Sequence, residues 1–176
     1  METDSRASLR DELLDALEAA AVTHGVDIVD VEVVGAQKNP TVRVRIDHAE
    51  AGDQPITLDE VSAQTGWISD LLDELDPIDG QFTLEVSSPG MSRPLRKTAD
   101  FERFAGSDVS LTLVGDSGRL RYTGRLVGLV DGQVSLVTDE GEFAWPLDNI
   151  KTCKIRPDFS NEGAPKSRRS AKKQRG

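Results

Sequence analysis

Cysteine and histidine are scarce in this chain, and the scarcity excludes several chemistries. Cys153 is the only cysteine, so an intramolecular disulfide and a CxxC redox or zinc site are both ruled out. A reducing, cytoplasmic setting is expected. His24 and His48 are the only histidines, and they have no metal-ligand spacing. No GxxxxGK[ST] or GxGxxG stretch is present to cradle a phosphate. No apolar run approaches the roughly 20 residues that cross a bilayer. The acidic, polar N-terminus carries neither a basic n-region nor an apolar core, so no signal peptide is expected. A nucleophile needs a base within reach and a group to orient that base. Ser87 and Ser88 have no such companion in the sequence, which argues against a hydrolase. The expectation is a protein that is not an enzyme and takes no cofactor.

Positive charge is also scarce, but only in the first half. The 176-residue chain carries a formal net charge of −10. Residues 1–92 hold −15 of it, residues 93–165 about −1, and residues 166–176 carry +6. An anionic first half repels bare phosphate backbones and suits a cationic protein surface. The basic tail, with Lys166, Arg168, Arg169, Lys172, Lys173 and Arg175, is a candidate for RNA contact.

Hydrophobic periodicity organises the chain. Leu9, Leu13, Leu17 and Ala20 or Ala21 recur at helical spacing over 7–23, and Gly25 supplies a left-handed stop. Residues 26–34 alternate, with Val29, Val31 and Val33 on one face and Asp30 and Glu32 on the other. After a turn at 35–40, Val42, Val44 and Ile46 point inward while Arg43 and Arg45 point outward, which predicts a hairpin. Thr57 and Glu60 form a capping box flanked by Ile56 and Val61. The buried stripe of that second helix continues through Ile68, Leu71 or Leu72, and Leu75, and Pro77 ends it. Phe82, Leu84 and Val86 alternate in a third strand. The first unit, residues 1–86, therefore reads αββαβ: two helices on one face of a three-stranded sheet.

Residues 87–97, SSPGMSRPLRK, break the periodicity and read as a rigid linker. Pro89-Gly90 makes a tight turn, Pro94 holds Arg93 extended, and Ser87 and Ser88 are placed to cap backbone groups. Residues 98–157 hold a short helix near 99–105 and five short strands, bent at Gly124 and Gly128 and joined in one hairpin by Asp131-Gly132. That pattern predicts a small Sm/SH3-like β-barrel and an α+β protein overall. From residue 158 to 176 no core-forming pattern remains, and disorder is expected.

The run EVSSPGMSRPL, followed by Asp100-Phe101-Glu102-Arg103-Phe104-Ala105-Gly106, resembles the signature of the RimP family. Asp76-Pro77-Ile78, the Leu84 strand and the strand from Val42 to Asp47 fit as well. The similarity covers roughly residues 9–156. Met91-Ser92 stands where relatives commonly have Leu-Asp. The resemblance implies an N-terminal α/β domain and a C-terminal Sm-like barrel. It also implies transient binding to the immature small (30S) ribosomal subunit and help in its maturation. The partners implied are a basic ribosomal protein of the decoding region and ribosomal RNA. On that reading Arg43, Arg45 and Arg93 are candidate phosphate contacts, Ser87 to Pro94 form an interaction motif, and the protein acts as a monomer without a membrane. The competing function is a general RNA-binding regulator using the Sm-like barrel, which a self-associated ring would favour.

Overall fold

The computed structural model describes residues 2–50, 54–115 and 118–157. The basic tail and its six candidate cations lie outside the described residues. Helix α1 (Glu2–His24) leads into strand β1 (Val26–Ala36), strand β2 (Asn39–His48), helix α2 (Leu58–Leu75) and strand β3 (Thr83–Ser87). The three strands form one sheet in the order β1-β2-β3, antiparallel in the hairpin and parallel between β2 and β3. A parallel neighbour needs a crossover, and α2 supplies it. Leu13 and Leu17 of α1, Ile68 and Leu72 of α2, and Val44 and Ile46 of β2 are fully buried in one core.

Helix α2 starts as its sequence dictates. The Thr57 hydroxyl accepts from the Glu60 backbone N–H at 3.3 Å, and the Glu60 carboxylate accepts from the Thr57 N–H at 2.8 Å. Ile56 and Val61 are both buried around the box. The helix ends on Asp76, which adopts a left-handed conformation and donates its N–H to the Leu72 carbonyl. Leu75, expected in the buried stripe, is 39% exposed; the stripe closes at Leu72, one turn short of the cap.

Strand β1 departs from the simple alternation. Ile28 pairs with Ile46 and Val31 with Val44, and the register shifts between Ile28 and Asp30. Val29 is thus the extra residue of a β-bulge. Val26 and Ile28 join Val31 in the core, with Val33 packed beside them, whereas unbroken alternation would have put Val29 on their face.

The second unit holds helix α3 (Thr98–Arg103) and strands β4 (Asp108–Gly115), β5 (Gly118–Val130), β6 (Gln133–Thr138), β7 (Gly141–Pro146) and β8 (Ile150–Ile155). They form one antiparallel sheet in the order β7-β6-β5-β4-β8. The five strands expected of a barrel are present. Strands β7 and β8 are the two edges of the sheet, and among the described residues no backbone pairing joins them, so the sheet is not closed by hydrogen bonds. Asp131 (φ 51°) and Gly132 (φ 76°) make the β5–β6 turn, both left-handed as a two-residue hairpin requires. Gly124 is needed for a different reason: a Cβ there would lie 2.4 Å from the Val137 carbonyl oxygen. Phe101, Leu111, Leu126, Leu136 and Cys153 fill the core. Burial pushes the Cys153 thiol up to about 12, so it stays neutral and serves as a small core side chain.

The capping box generates a pH test. The Thr57 backbone and hydroxyl, with His48 at 3.1 Å, hold the Glu60 carboxyl down to about 2, and Glu60 in turn raises His48 above its ordinary 6.5. A lowered carboxyl stabilises the fold above its unfolded value and loses that effect as pH falls towards the folded one; a raised imidazole stabilises below 6.5 and loses the effect as pH rises through its folded value. Both contributions are complete between 4.5 and 6.5. The difference in thermal midpoint between the parent and His48→Gln should therefore be largest in that window and shrink on either side. In addition, Thr57→Ala should cost about 1 kcal/mol in urea unfolding.

Candidate functional site

The region between the two units is built around five residues of the linker, 93 to 97. Pro94 pairs with Lys154 as an isolated bridge, the Leu95 N–H donates to the Cys153 carbonyl at 2.8 Å, and the Ile155 N–H donates to the Arg93 carbonyl at 2.9 Å. Residues 93–95 thereby run along the outer edge of β8. Leu95 goes into the second core, while Arg93, Arg96 and Lys97 reach back to the first domain.

Arg93 is 4% exposed. Its guanidinium lies among three carboxylates: Asp47 on Nη1, with Asp27 at 3.6 Å and Asp100 at 3.7 Å from Nη2. Asp27 and Asp47 are cross-strand partners at the end of the β1–β2 hairpin, and Asp100 belongs to α3. The Phe104 ring stacks under the guanidinium at 5.0 Å. Asp100 also caps α3, because its Oδ2 accepts the backbone N–H groups of Arg96 and Lys97, each at 3.0 Å. Beside this cluster Arg96 pairs with Glu18 of α1, and Lys97 pairs with Glu18 and Asp27. Four carboxylates thus face three cations across the joint. Arg93 Nε and Nη2 and Arg96 Nε are buried without a hydrogen-bond partner among the described residues, so attraction at those atoms is coulombic.

The energetic weight of this arrangement is asymmetric. Taking charges out of water costs several kcal/mol per ion, which their mutual attraction offsets only when geometry is good. Removing one partner leaves the other charges buried and uncompensated. The joint is thus a strong constraint once assembled, whatever its net contribution.

The other candidate residues lie apart from it. Arg43 is held by Glu85 at 2.9 Å and Glu32 at 3.4 Å, and Arg45 by Glu32 at 3.1 Å and Asp30 at 3.3 Å. A phosphate approaching either arginine would meet those carboxylates at the same point. Gly90 sits at φ +70°, so the turn after Pro89 needs glycine. Ser88, Pro89 and Gly90 line a groove of about 440 Å³ together with Arg93, Arg103 and Phe104. The linker motif therefore borders the Arg93 cluster. Sequence reasoning missed the partners of Arg93, because Asp27 and Asp47 lie 66 and 46 residues before it. The one available signal was an aspartate on each strand at the same end of a hairpin, facing the same linker.

Arg93→Ala should destabilise the chain by about 3–5 kcal/mol in urea unfolding, because it strands the carboxylates it serves. Arg93→Lys should recover only part of that loss, since a single ammonium cannot reach three carboxylates as a planar guanidinium does.

Residues 16–92 match the family model described as the RimP N-terminal domain. The match spans part of α1, the whole three-stranded sheet, α2 and the first part of the linker, and it stops one residue before Arg93. Among the described residues no helix is long and apolar enough to cross a membrane. The first unit of the chain is thus similar to the RimP N-terminal domain.

Proposed function

We propose that the protein is a non-catalytic assembly factor that binds the immature small ribosomal subunit transiently, in the cytoplasm and as a monomer. The RimP N-terminal domain at residues 16–92 carries this reading. The charge distribution adds the mode of binding. A first unit at −15 is a poor ligand for RNA and a good one for a basic ribosomal protein, whose positive charge would steer encounter more than set affinity. The second unit, nearly neutral overall, is free to lie against RNA. Its strand order, with the last strand beside the first, is one that an Sm-like barrel would have. The tail cations Lys166, Arg168, Arg169, Lys172, Lys173 and Arg175 would act as an electrostatic tether to ribosomal RNA, while Arg93 serves the joint.

Pro89-Gly90 and the Arg93 cluster hold the two units at one angle, so the protein and RNA surfaces are presented together. Pre-ordering of this kind lowers the entropy lost on binding. Replacing Pro89-Gly90 with Ser-Ser should leave both units folded and weaken binding to immature subunits by roughly 1 kcal/mol or more.

Cells lacking the protein should accumulate small-subunit precursors with unprocessed ribosomal RNA, seen as an altered subunit ratio in sucrose gradients under fast growth. Normal ratios and normal processing would refute the assembly role. Calorimetry of residues 1–92 against small-subunit proteins should show binding that weakens as salt rises. A first unit that prefers naked RNA would overturn the division of labour.

A further inference from the structure

One face of the second domain has a charge character that the rest of the described molecule lacks. Side chains alternate along a strand, so Asp108, Ser110 and Thr112 of β4 share the side opposite the buried Val109, Leu111 and Leu113. The register places Arg125, Thr123 and Arg121 of β5 beside them on one flank, and Lys154 and Thr152 of β8 on the other. Arg156 continues the β8 flank, its N–H donating to the Asp108 carbonyl at 2.8 Å. The result is a grid of three strands by three rows. With strands about 4.8 Å apart and alternate residues about 6.7 Å apart, it spans about 10 Å by 13 Å.

Four cations stand on this grid: Arg121, Arg125, Lys154 and Arg156, all exposed. Asp108 is the single carboxylate among its nine positions. The depression at its centre is lined by Ser92, Ser110, Thr112, Arg121, Thr152 and Lys154, with Arg156 at its rim and no acidic residue in its wall. Six cations elsewhere, Arg10, Arg43, Arg45, Arg93, Arg96 and Lys97, are all in ion pairs. Among the described residues none of the four grid cations has a carboxylate within ion-pair distance. Arg121 instead donates to the Ser110 hydroxyl at 2.9 Å, which fixes its head over the depression. Lys154 lies near enough to Glu32 to help lower that carboxyl, so it belongs to the border between the face and the acidic domain.

We infer that this outward face of β8, β4 and β5 binds the sugar-phosphate backbone of RNA. Arginine and lysine interleaved with serine and threonine hydroxyls are the donors that phosphate oxygens take. The face has no aromatic side chain on which a base would stack, so it reads backbone and not sequence. It has no apolar anchor of the kind that forms the centre of a protein interface. Net repulsion from the remainder of a chain at −10 makes such a patch useful only where RNA is presented at short range. Ribosomal RNA beside a bound ribosomal protein is such a case, so the choice of RNA rests on the ribosomal reading above.

The test uses the full chain, a fluorescein-labelled single-stranded RNA and a labelled RNA duplex, with anisotropy read across a salt series. Arg121→Gln combined with Lys154→Gln removes two positive charges from the face. Lys38→Glu, in the exposed β1–β2 turn, changes the net charge by the same amount at a distance. The double variant should weaken binding several-fold and flatten the log–log salt slope by roughly 0.7–0.9 per lost contact. Lys38→Glu should leave the slope unchanged. Lys154→Gln alone should give about half the change in slope, and all variants should keep the parent's thermal midpoint. Equal losses in the double variant and Lys38→Glu, unchanged binding in the double variant, or a parent that binds neither RNA at low salt would each overturn the inference. Cosedimentation of the parent with immature subunits separates the two claims. If the parent cosediments but the double variant binds RNA like the parent, the face is wrong and the ribosomal reading stands. If the parent does not cosediment, the ribosomal reading falls, and the anisotropy series still decides the face.

Discussion

The burial of Arg93 is the constraint on which the arrangement of this protein turns. A guanidinium at 4% exposure must find its counter-charges inside the molecule, and here they come from β1, β2 and α3 at once. The observed position of α3 against the hairpin brings Asp27, Asp47 and Asp100 together around Arg93. The same segment is pinned by its backbone to β8 on the other side. Five residues thus convert two separately cored units into a molecule with a defined inner surface. The cost is buried charge, which an apolar joint would have avoided. The return is specificity of angle, because an apolar contact tolerates sliding and a set of ion pairs does not.

Electrostatics divides the molecule along the same line. The sheet of the first domain carries its arginines in cross-strand pairs with glutamate and aspartate, so its positive charges are neutralised internally and its surplus is negative. The second domain keeps the cations of its outward face without acidic partners among the described residues. An acidic unit for protein and a cationic face for RNA would be held in fixed relation by the joint between them. A factor that had to recognise a particle made of both materials would gain from such an arrangement, since neither surface alone distinguishes the assembled particle from its free components.

Local chemistry makes much of the fold legible in the sequence. Thr57 and Glu60 announce α2, Asp131-Gly132 announces the β5–β6 turn, and the Val42-Val44-Ile46 alternation places β2. Each of these depends on residues within a few positions of one another. The bulge in β1 is harder to see: Ile28 and Val29 are adjacent apolar residues, which marks the point where one alternation frame gives way to the next, but alternation counting takes the longer frame. Leu75 is misplaced by periodicity because helical spacing continues past Leu72, the last buried residue of the stripe. The joint is least legible. An arginine between serine and proline reads as a solvent-facing linker residue, and only the three-dimensional meeting of carboxylates from distant segments reverses that reading. Barrel closure is a property of edges, which periodicity does not report.

Strand β8 also sets a timetable. The carbonyl of Arg93 and the N–H of Leu95 find their partners at Ile155 and Cys153, roughly 60 residues further along the chain. At about 5–20 residues per second, synthesis takes several seconds to deliver them. During that interval the β1–β2–β3 sheet with its two helices can already be folded. The segment that will become the joint must wait beside it with a charged side chain and open backbone groups. Vectorial emergence from the ribosome therefore produces the acidic unit first and locks its orientation only after β8 has arrived.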